Sequence, residues 1–417
     1  MITNMEFIVR KSDLKQTADL LEILEVKFGN RILRWFISRV TDEEIVLELT
    51  LVEGGNFPAI KECAASSYGG KNAVVSLIPT GIGCEIGGYA ADAAPVTSLL
   101  ASCADYLVTN PNAVNASDFV FMEDNILYTE GYMIDGFCKG ELNLYKPYSN
   151  KVGVIIEQSG REDLEVILNI INTVRAVHGV DIRDFVITEK PVGGRCERNK
   201  SGAYVGKLDN ADVLFKACEE LISKGVTAIA VTTNIKDLPE EDYARHFEGE
   251  HPNPVGGAEA VISHLIGAKY RIPVAHAPLI NTKSTYLKDK IVDARGAGEY
   301  ASTSGLACIL VALGKAPQVE EPVNCRIKDV IGIDNVSAVV CPATALGGIP
   351  VLWALKYNIP VIAVKNNKTI LDVTRARLNL DGVVEVENYA EAAGILQALR
   401  KGISLQSIYR PLHTLRI

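Results

Sequence analysis

Residues 152–156 read Val152-Gly-Val-Ile-Ile and residues 226–232 read Val226-Thr-Ala-Ile-Ala-Val-Thr, apolar along nearly their whole length. A strand with one wet face alternates apolar and polar side chains. A strand that does not alternate is buried on both faces, which points to a parallel sheet covered by helices on either side. Further strand-like runs lie near 73–78, 105–109, 184–188, 272–276, 337–341 and 360–364. Helix-like runs lie near 162–178, 209–223, 256–268, 302–313, 347–358 and 388–401. This alternation predicts an α/β fold with doubly wound, mostly parallel sheets. The chain has 417 residues, too many for one ordinary domain, so two Rossmann-like lobes with a cleft between them are expected over 71–417. Functional groups should then gather beyond the carboxyl ends of the strands.

The first 53 residues read differently. A strand near 4–9 precedes a helix over about 13–28, with Ser12 as its N-cap and Leu14, Ala18, Leu21 and Leu24 at helical spacing. Gly29-Asn30 ends it, and two β-rich runs, 32–40 and 45–52, follow. This βαββ unit, half of a ferredoxin-like fold, reads as a separate N-terminal module over 1–53. A Gly- and Ser-containing linker, 54–70, sets it apart. The net charge of −9 without a basic tract argues against nucleic acid as a partner. No apolar run reaches the roughly 20 residues that span a bilayer, and the N-terminus lacks the features of a signal peptide. Nine scattered cysteines, an odd number with no C-x-x-C pair, predict reduced thiols in the cytoplasm.

Residues 245–259 concentrate the chemistry. His246, Glu248, Glu250, His251 and Asn253 fall within eight residues, braced by Pro252, Pro254 and Gly256-Gly257. Glu250 and His251 suit a general acid/base pair. His246, Glu248 and His251 suit a divalent metal, although the spacing is not that of a helical H-E-x-x-H, and the glycine and prolines argue against a helix. A charged, proline-braced loop without chemistry is the third reading. His276, at a strand end, is expected to converge on the same place, whereas His264, inside a helix, reads as structural. Four other segments follow strands or precede helices. The glycine-rich run from Pro79 holds Glu85 and matches neither a dinucleotide fingerprint nor a P-loop; it is a ligand loop or a tight turn. Asn110, Asn112 and Asn115 cluster after a strand and suit an uncharged contact to substrate, or a turn. Arg195 and Arg198, in a basic loop over 193–202, suit a carboxylate, or lie solvated. Arg295 precedes a helix capped by Ser302 or Thr303, and Thr344 stands beside Gly347-Gly348 at another helix start. The glycine-rich segments 79–88, 193–202 and 343–348 are expected to face one cleft.

The runs Pro79-Thr-Gly-Ile-Gly-Cys-Glu-Ile-Gly-Gly, Thr109-Asn-Pro-Asn-Ala-Val-Asn-Ala, Glu248-Gly-Glu-His-Pro-Asn-Pro and Pro342-Ala-Thr-Ala-Leu-Gly-Gly resemble an uncharacterised family of bacteria, notably cyanobacteria, and of plants: the domain of unknown function numbered 3326. The likeness covers about 71–385. It implies no activity; in that family histidine often stands where this chain has Asn110. From the residues themselves we expect an enzyme acting on a small anionic metabolite, a carboxylate or amino-acid derivative, by acid/base chemistry of lyase, isomerase or racemase type. His251, Glu250 and His276 would move protons. Arg195, Arg198, Asn112, Asn115, Glu85, Arg295, Ser302 and Thr344 would contact the substrate. No cofactor is predicted. A metal-dependent hydrolase using His246, Glu248 and His251 is the alternative, and a non-catalytic small-molecule binding protein the third reading. A homo-oligomer is compatible with all three.

Overall fold

The computed structural model describes residues 2–53, 70–111, 115, 122–236, 240–279, 291–302, 305–322 and 329–415. The N-terminal unit comprises β1 (Ile2–Arg10), α1 (Asp19–Phe28), β2 (Ile32–Val40) and β3 (Glu44–Val52), with β3 at the centre of an antiparallel sheet of order β1-β3-β2. The helix starts six residues later than expected. Ser12 lies in a 3-10 turn, and the Asp19 carboxylate accepts hydrogen bonds from the Lys15 and Gln16 amides, closing a turn ahead of the first helical residue.

The first parallel sheet opens with β4 (Ala73–Ser76), α2 (Ala94–Ala101), β5 (Tyr106–Thr109) and β6 (Ile126–Tyr128). The chain then leaves through α3 (Gly131–Cys138) and β7 (Asn143–Tyr145) into the second lobe. That lobe runs β8 (Lys151–Ile156), α4 (Arg161–His178), β9 (Asp181–Ile187), β10 (Gly194–Arg198), β11 (Tyr204–Leu208), α5 (Ala211–Ser223), β12 (Ala228–Thr233), β13 (Ile235–Lys236), α6 (Glu240–Phe247), α7 (Gly256–Tyr270), β14 (Val274–Pro278), α8 (Ala297–Ala301), α9 (Gly305–Leu313) and β15 (Gln318–Glu320). The return adds β16 (Val336–Pro342), α10 (Ile349–Lys356), β17 (Val361–Val364), α11 (Arg375–Leu378), β18 (Val383–Val386), α12 (Tyr389–Arg400) and α13 (Leu405–Ile408).

Both large sheets are parallel throughout, as the continuously apolar strands require. The six-stranded sheet has the order β6-β5-β4-β16-β17-β18, third-second-first-fourth-fifth-sixth along the chain. That is the doubly wound order whose ligand crevice opens between the first and fourth strands, here β4 and β16. The four-stranded sheet, β9-β8-β12-β14, belongs to the second lobe. One buried apolar cluster contains residues of both sheets, including Val74, Val340, Val154 and Ala230. Two segments differ from expectation. The basic stretch after Gly193 is not a loop but the antiparallel pair β10–β11. Arg245 and His246 end α6, because Pro252 and Pro254 lie beyond the helix and do not interrupt it.

The N-terminal unit packs directly on this framework. Trp35, Ile37, Leu47 and Leu49 share a buried cluster with Val75, Val339 and Val361. The Ile37 amide donates to the Gly347 carbonyl at 3.1 Å, and Phe36 bridges to Gly348. A Cβ at position 347 would lie 2.5 Å from the Ile37 Cβ, whereas one at 348 meets nothing closer than 3.7 Å. Gly347→Ala should therefore cost about 1–3 kcal/mol, the scale of overpacking, and Gly348→Ala should stay within about 0.5 kcal/mol of wild type. Thermal or urea unfolding of the two variants tests this seating of β2; equal melting points would refute it.

Candidate functional site

The crevice between β4 and β16 holds a cavity of about 240 Å³. Leu77, Ile78, Pro79 and Thr80 line it from the β4 side, and Ala345, Gly347 and Gly348 from the β16 side. Three further elements close it: β2 with Arg34 and Phe36, the start of α3 with Glu130 and Asp135, and α7 with Glu259, Ser263 and His264. Ala275 and His276 of β14 complete the wall. Most of the surface is apolar, with a few polar groups converging, the usual composition of a small-molecule site.

The polar groups are built from two carboxylate–histidine pairs. Glu130 is the N-cap of α3; its Oε2 accepts from the Tyr132 and Met133 amides at 2.8 and 3.4 Å. Its Oε1 lies 2.5 Å from His264 Nδ1, and the Ser263 hydroxyl donates to it at 3.4 Å. Glu130 is buried, and these partners stand where water would otherwise meet its oxygens. The next residue has to be small: a Cβ at Gly131 would stand 2.7 Å from His264 Cε1. In the second pair, His276 Nδ1 is 3.4 Å from Glu259 Oε1 and its Nε2 is 2.9 Å from the Thr233 hydroxyl. The His276 ring is thus oriented by hydrogen bonds to Glu259 and Thr233, while His264 Nδ1 stands at ion-pair distance from Glu130 without hydrogen-bond geometry.

Asp135, one turn into α3, completes the polar end. Burial pushes its carboxyl up to about 7; His264, Lys139 and Arg34 pull it down, and Glu130 pushes it up. A carboxyl that changes charge near neutrality is suited to proton transfer. Burial lowers the Arg34 guanidinium from its usual value, opposed by the fields of Asp135, Glu48 and Glu130.

The family whose model matches residues 73–409 is described as "Protein of unknown function (DUF3326)". The chain belongs to this family. A protein of Synechococcus sp. named "Uncharacterized lipoprotein" is 33% identical over 335 residues, 79% of this chain and 91% of that protein. No solved structure matches the chain. Among the described residues, no helix is long and apolar enough to cross a membrane.

For this DUF3326 member the structure separates the residues singled out in the sequence. His276 lines the cavity. His251 does not; it is half-buried, and desolvation together with Arg245 and Arg198 lowers its pKa. Glu250 is exposed and pairs with Arg245 at 3.0 Å. The ring of His246 stacks on Tyr89, and its Nδ1 faces the carbonyl of His251 and not the imidazole. Glu248 is exposed. Among the described residues, no group of three or more His, Cys, Asp and Glu is arranged to hold a metal ion.

Arg195 pairs with Asp209 across the β10–β11 hairpin, and Arg198 donates to the Gly202 carbonyl. Arg295 is held by Asp293 and Glu85. Asn115 is buried, donating to the Tyr128 hydroxyl at 2.6 Å and accepting from the Cys308 thiol. Asn112 lies outside the described residues, as does Thr303. Ser302 donates to the Glu299 carbonyl at the end of α8, so it closes a helix instead of opening one. Thr344 bonds to the Thr369 hydroxyl and accepts from its amide, tying two loops together. Asn110 lines the cavity while its carboxamide brackets the Ile78 backbone, accepting from the amide at 2.9 Å and donating to the carbonyl at 2.7 Å. Of the three glycine-rich segments, the first and third line the cavity; the second forms the hairpin and does not.

Arg34, Glu130, Asp135, Glu259 and His264 were not singled out in the sequence. A signal was present in α7. Nine of its fifteen residues are buried and span its circumference, and Glu259, Ser263 and His264 stand among them at i, i+4 and i+5. A helix buried all round has no solvent face for a carboxylate and an imidazole.

Asp135 gives this site a pH signature. In the fold its carboxyl holds a proton up to about 7, whereas an unfolded aspartate releases its proton near about 4. Between these values the unfolded state binds fewer protons, so Asp135 makes stability fall as pH rises from about 4 to 7 and then level off. Asp135→Asn should melt above wild type at pH 8 and converge with it toward pH 4. Parallel melting curves at all pH values would contradict this assignment.

Proposed function

We propose that this protein is an enzyme that removes and returns a proton on a small anionic metabolite held between β4 and β16, a reaction of the isomerase, racemase or lyase type. The observation that carries this reading is the convergence of Glu130–His264, Glu259–His276 and Asp135 on one largely apolar cavity. In this arrangement His264, beside Glu130, is the primary proton carrier. Asp135 and His276 are the groups from which a second carrier is drawn. A low-dielectric wall strengthens every charge–charge interaction with the bound anion. The order of strands supports the location, since ligands of doubly wound sheets sit at the switch point. The cavity, with room for roughly eight water volumes at about 30 Å³ each, favours a small acid over a dinucleotide. The seven cysteines among the described residues are free thiols, which supports a reducing, cytoplasmic setting.

The test is proton exchange. Panels of amino acids, 2-hydroxy acids and other small carboxylates are incubated with the enzyme in D₂O, and loss of the carbon-bound proton is followed by ¹H NMR. We expect exchange or isomer formation on one class of acid, and a loss of roughly 100-fold or more in His264→Gln. His251→Gln should cost far less; the reverse ranking would return the chemistry to the 245–259 loop. The limb of the pH–rate profile near 7 should vanish in Asp135→Asn. A ligand that binds and is recovered unaltered and unexchanged would favour a non-catalytic binding protein.

A further inference from the structure

The family match begins at residue 73, yet the cavity is not complete without β2, which lies before it. Alternation along a strand places Arg34 and Phe36 on one face, and both line the cavity. The guanidinium carbon of Arg34 lies 5.5 Å from the Phe36 ring centroid, a cation–π contact that steadies the head group while leaving its N–H groups free. Of the other cavity charges, Glu130 faces His264 and Glu259 faces His276, while the Asp135 carboxyl, whose field acts on Arg34, is in no ion pair among the described residues. Outside the cavity Arg195, Arg245 and Arg295 are each held by a carboxylate. Among the described residues, no hydrogen bond or ion pair engages the Arg34 guanidinium, although the backbone pairs with β3. A guanidinium in the field of Asp135, Glu48 and Glu130 but in direct contact with none of them keeps a planar fork for an incoming carboxylate. Around it the wall is aliphatic, with Ile82, Ile134, Ile349 and Leu371.

We propose that the βαββ module is the specificity element of this site: Arg34 binds the carboxylate of the substrate and Phe36 with the aliphatic wall binds an apolar tail, so the substrate class is small monocarboxylates bearing a hydrocarbon or aryl group. This rests on the cavity being the functional site, as proposed above, but not on the proton chemistry assigned to it. Arg34 and Phe36 touch the substrate without moving protons. The module thus confers on the family framework a ligand preference that residues 73–409 do not encode by themselves.

Isothermal titration with 3-phenylpropionate, its neutral amide and acetate tests the proposal on the intact wild-type chain, without relying on any variant. The acid should bind, and both the amide and acetate should bind roughly tenfold or more weakly. Arg34→Gln should bring the acid down to the level of the amide. Arg34→Lys, which keeps the charge but not the fork, should fall between, and Phe36→Ala should weaken 3-phenylpropionate while leaving acetate unchanged. Circular dichroism of each variant verifies folding. The proposal is overturned if acid and amide bind alike, if none of the three binds wild type, or if Arg34→Gln binds the acid as wild type does. His264→Gln should still bind the acid. Binding as expected with no proton exchange on any carboxylate would sink the catalytic reading alone and leave this one standing.

Discussion

The carboxylate of Glu130 is the interaction on which the site depends. It is buried, and the first amides of α3, the Ser263 hydroxyl and the His264 ring surround its oxygens in place of water. Those partners come from two helices, α3 and α7. Glu130 follows β6, the third strand of the large sheet, caps α3, and reaches α7, the central helix of the second lobe. One carboxylate therefore fixes the distance between the large sheet and the helix that carries Glu259, Ser263 and His264. Removing one member of such a buried pair costs about 3–5 kcal/mol, because the other is left uncompensated. In the proposed reaction, stability and function would be linked at this point, since the carboxylate beside the proposed proton carrier also joins α3 to α7.

The topology explains why the site is there. The chain leaves the six-stranded sheet after its third strand and returns for its fourth, so the whole second lobe is an insertion at the position where the order of strands reverses. The crevice that every such sheet leaves between its first and fourth strands is roofed here by the inserted lobe and by β2. The loop after β16 can approach β2 closely because Gly347 stands against Ile37. The aliphatic wall and the two histidines then share one cavity of about 240 Å³.

Much of the fold was legible in the sequence, because burial leaves a direct mark on composition. Strands covered on both faces are apolar throughout, and 152–156 and 226–232 show it; the parallel sheets and their helices follow. The site was harder to see. The 245–259 segment is dense in titratable residues, but density reflects local sequence while a site reflects convergence. Glu250 meets Arg245 on the surface, whereas Arg34, Glu130, His264 and His276 lie in four separate elements, far apart along the chain. His276 was identified because a strand end is a conspicuous place for a histidine. A helical position makes His264 read as structural, although nine of the fifteen residues of α7 are buried. Arg34 lies in what reads as a separate module, and only the packing of β2 brings it to the cavity wall.

The central claim is that His264, and not His251, meets the ligand. It is tested most directly by NMR of protein labelled with ¹⁵N in its six histidines, with each signal assigned by single His→Gln replacement. On adding a small carboxylate that protects the protein against thermal unfolding, the account predicts that the ring nitrogens of His264 and His276 shift while those of His251 stay in place. A shift at His251 with His264 and His276 unmoved would contradict it and put the functional centre in the 245–259 loop.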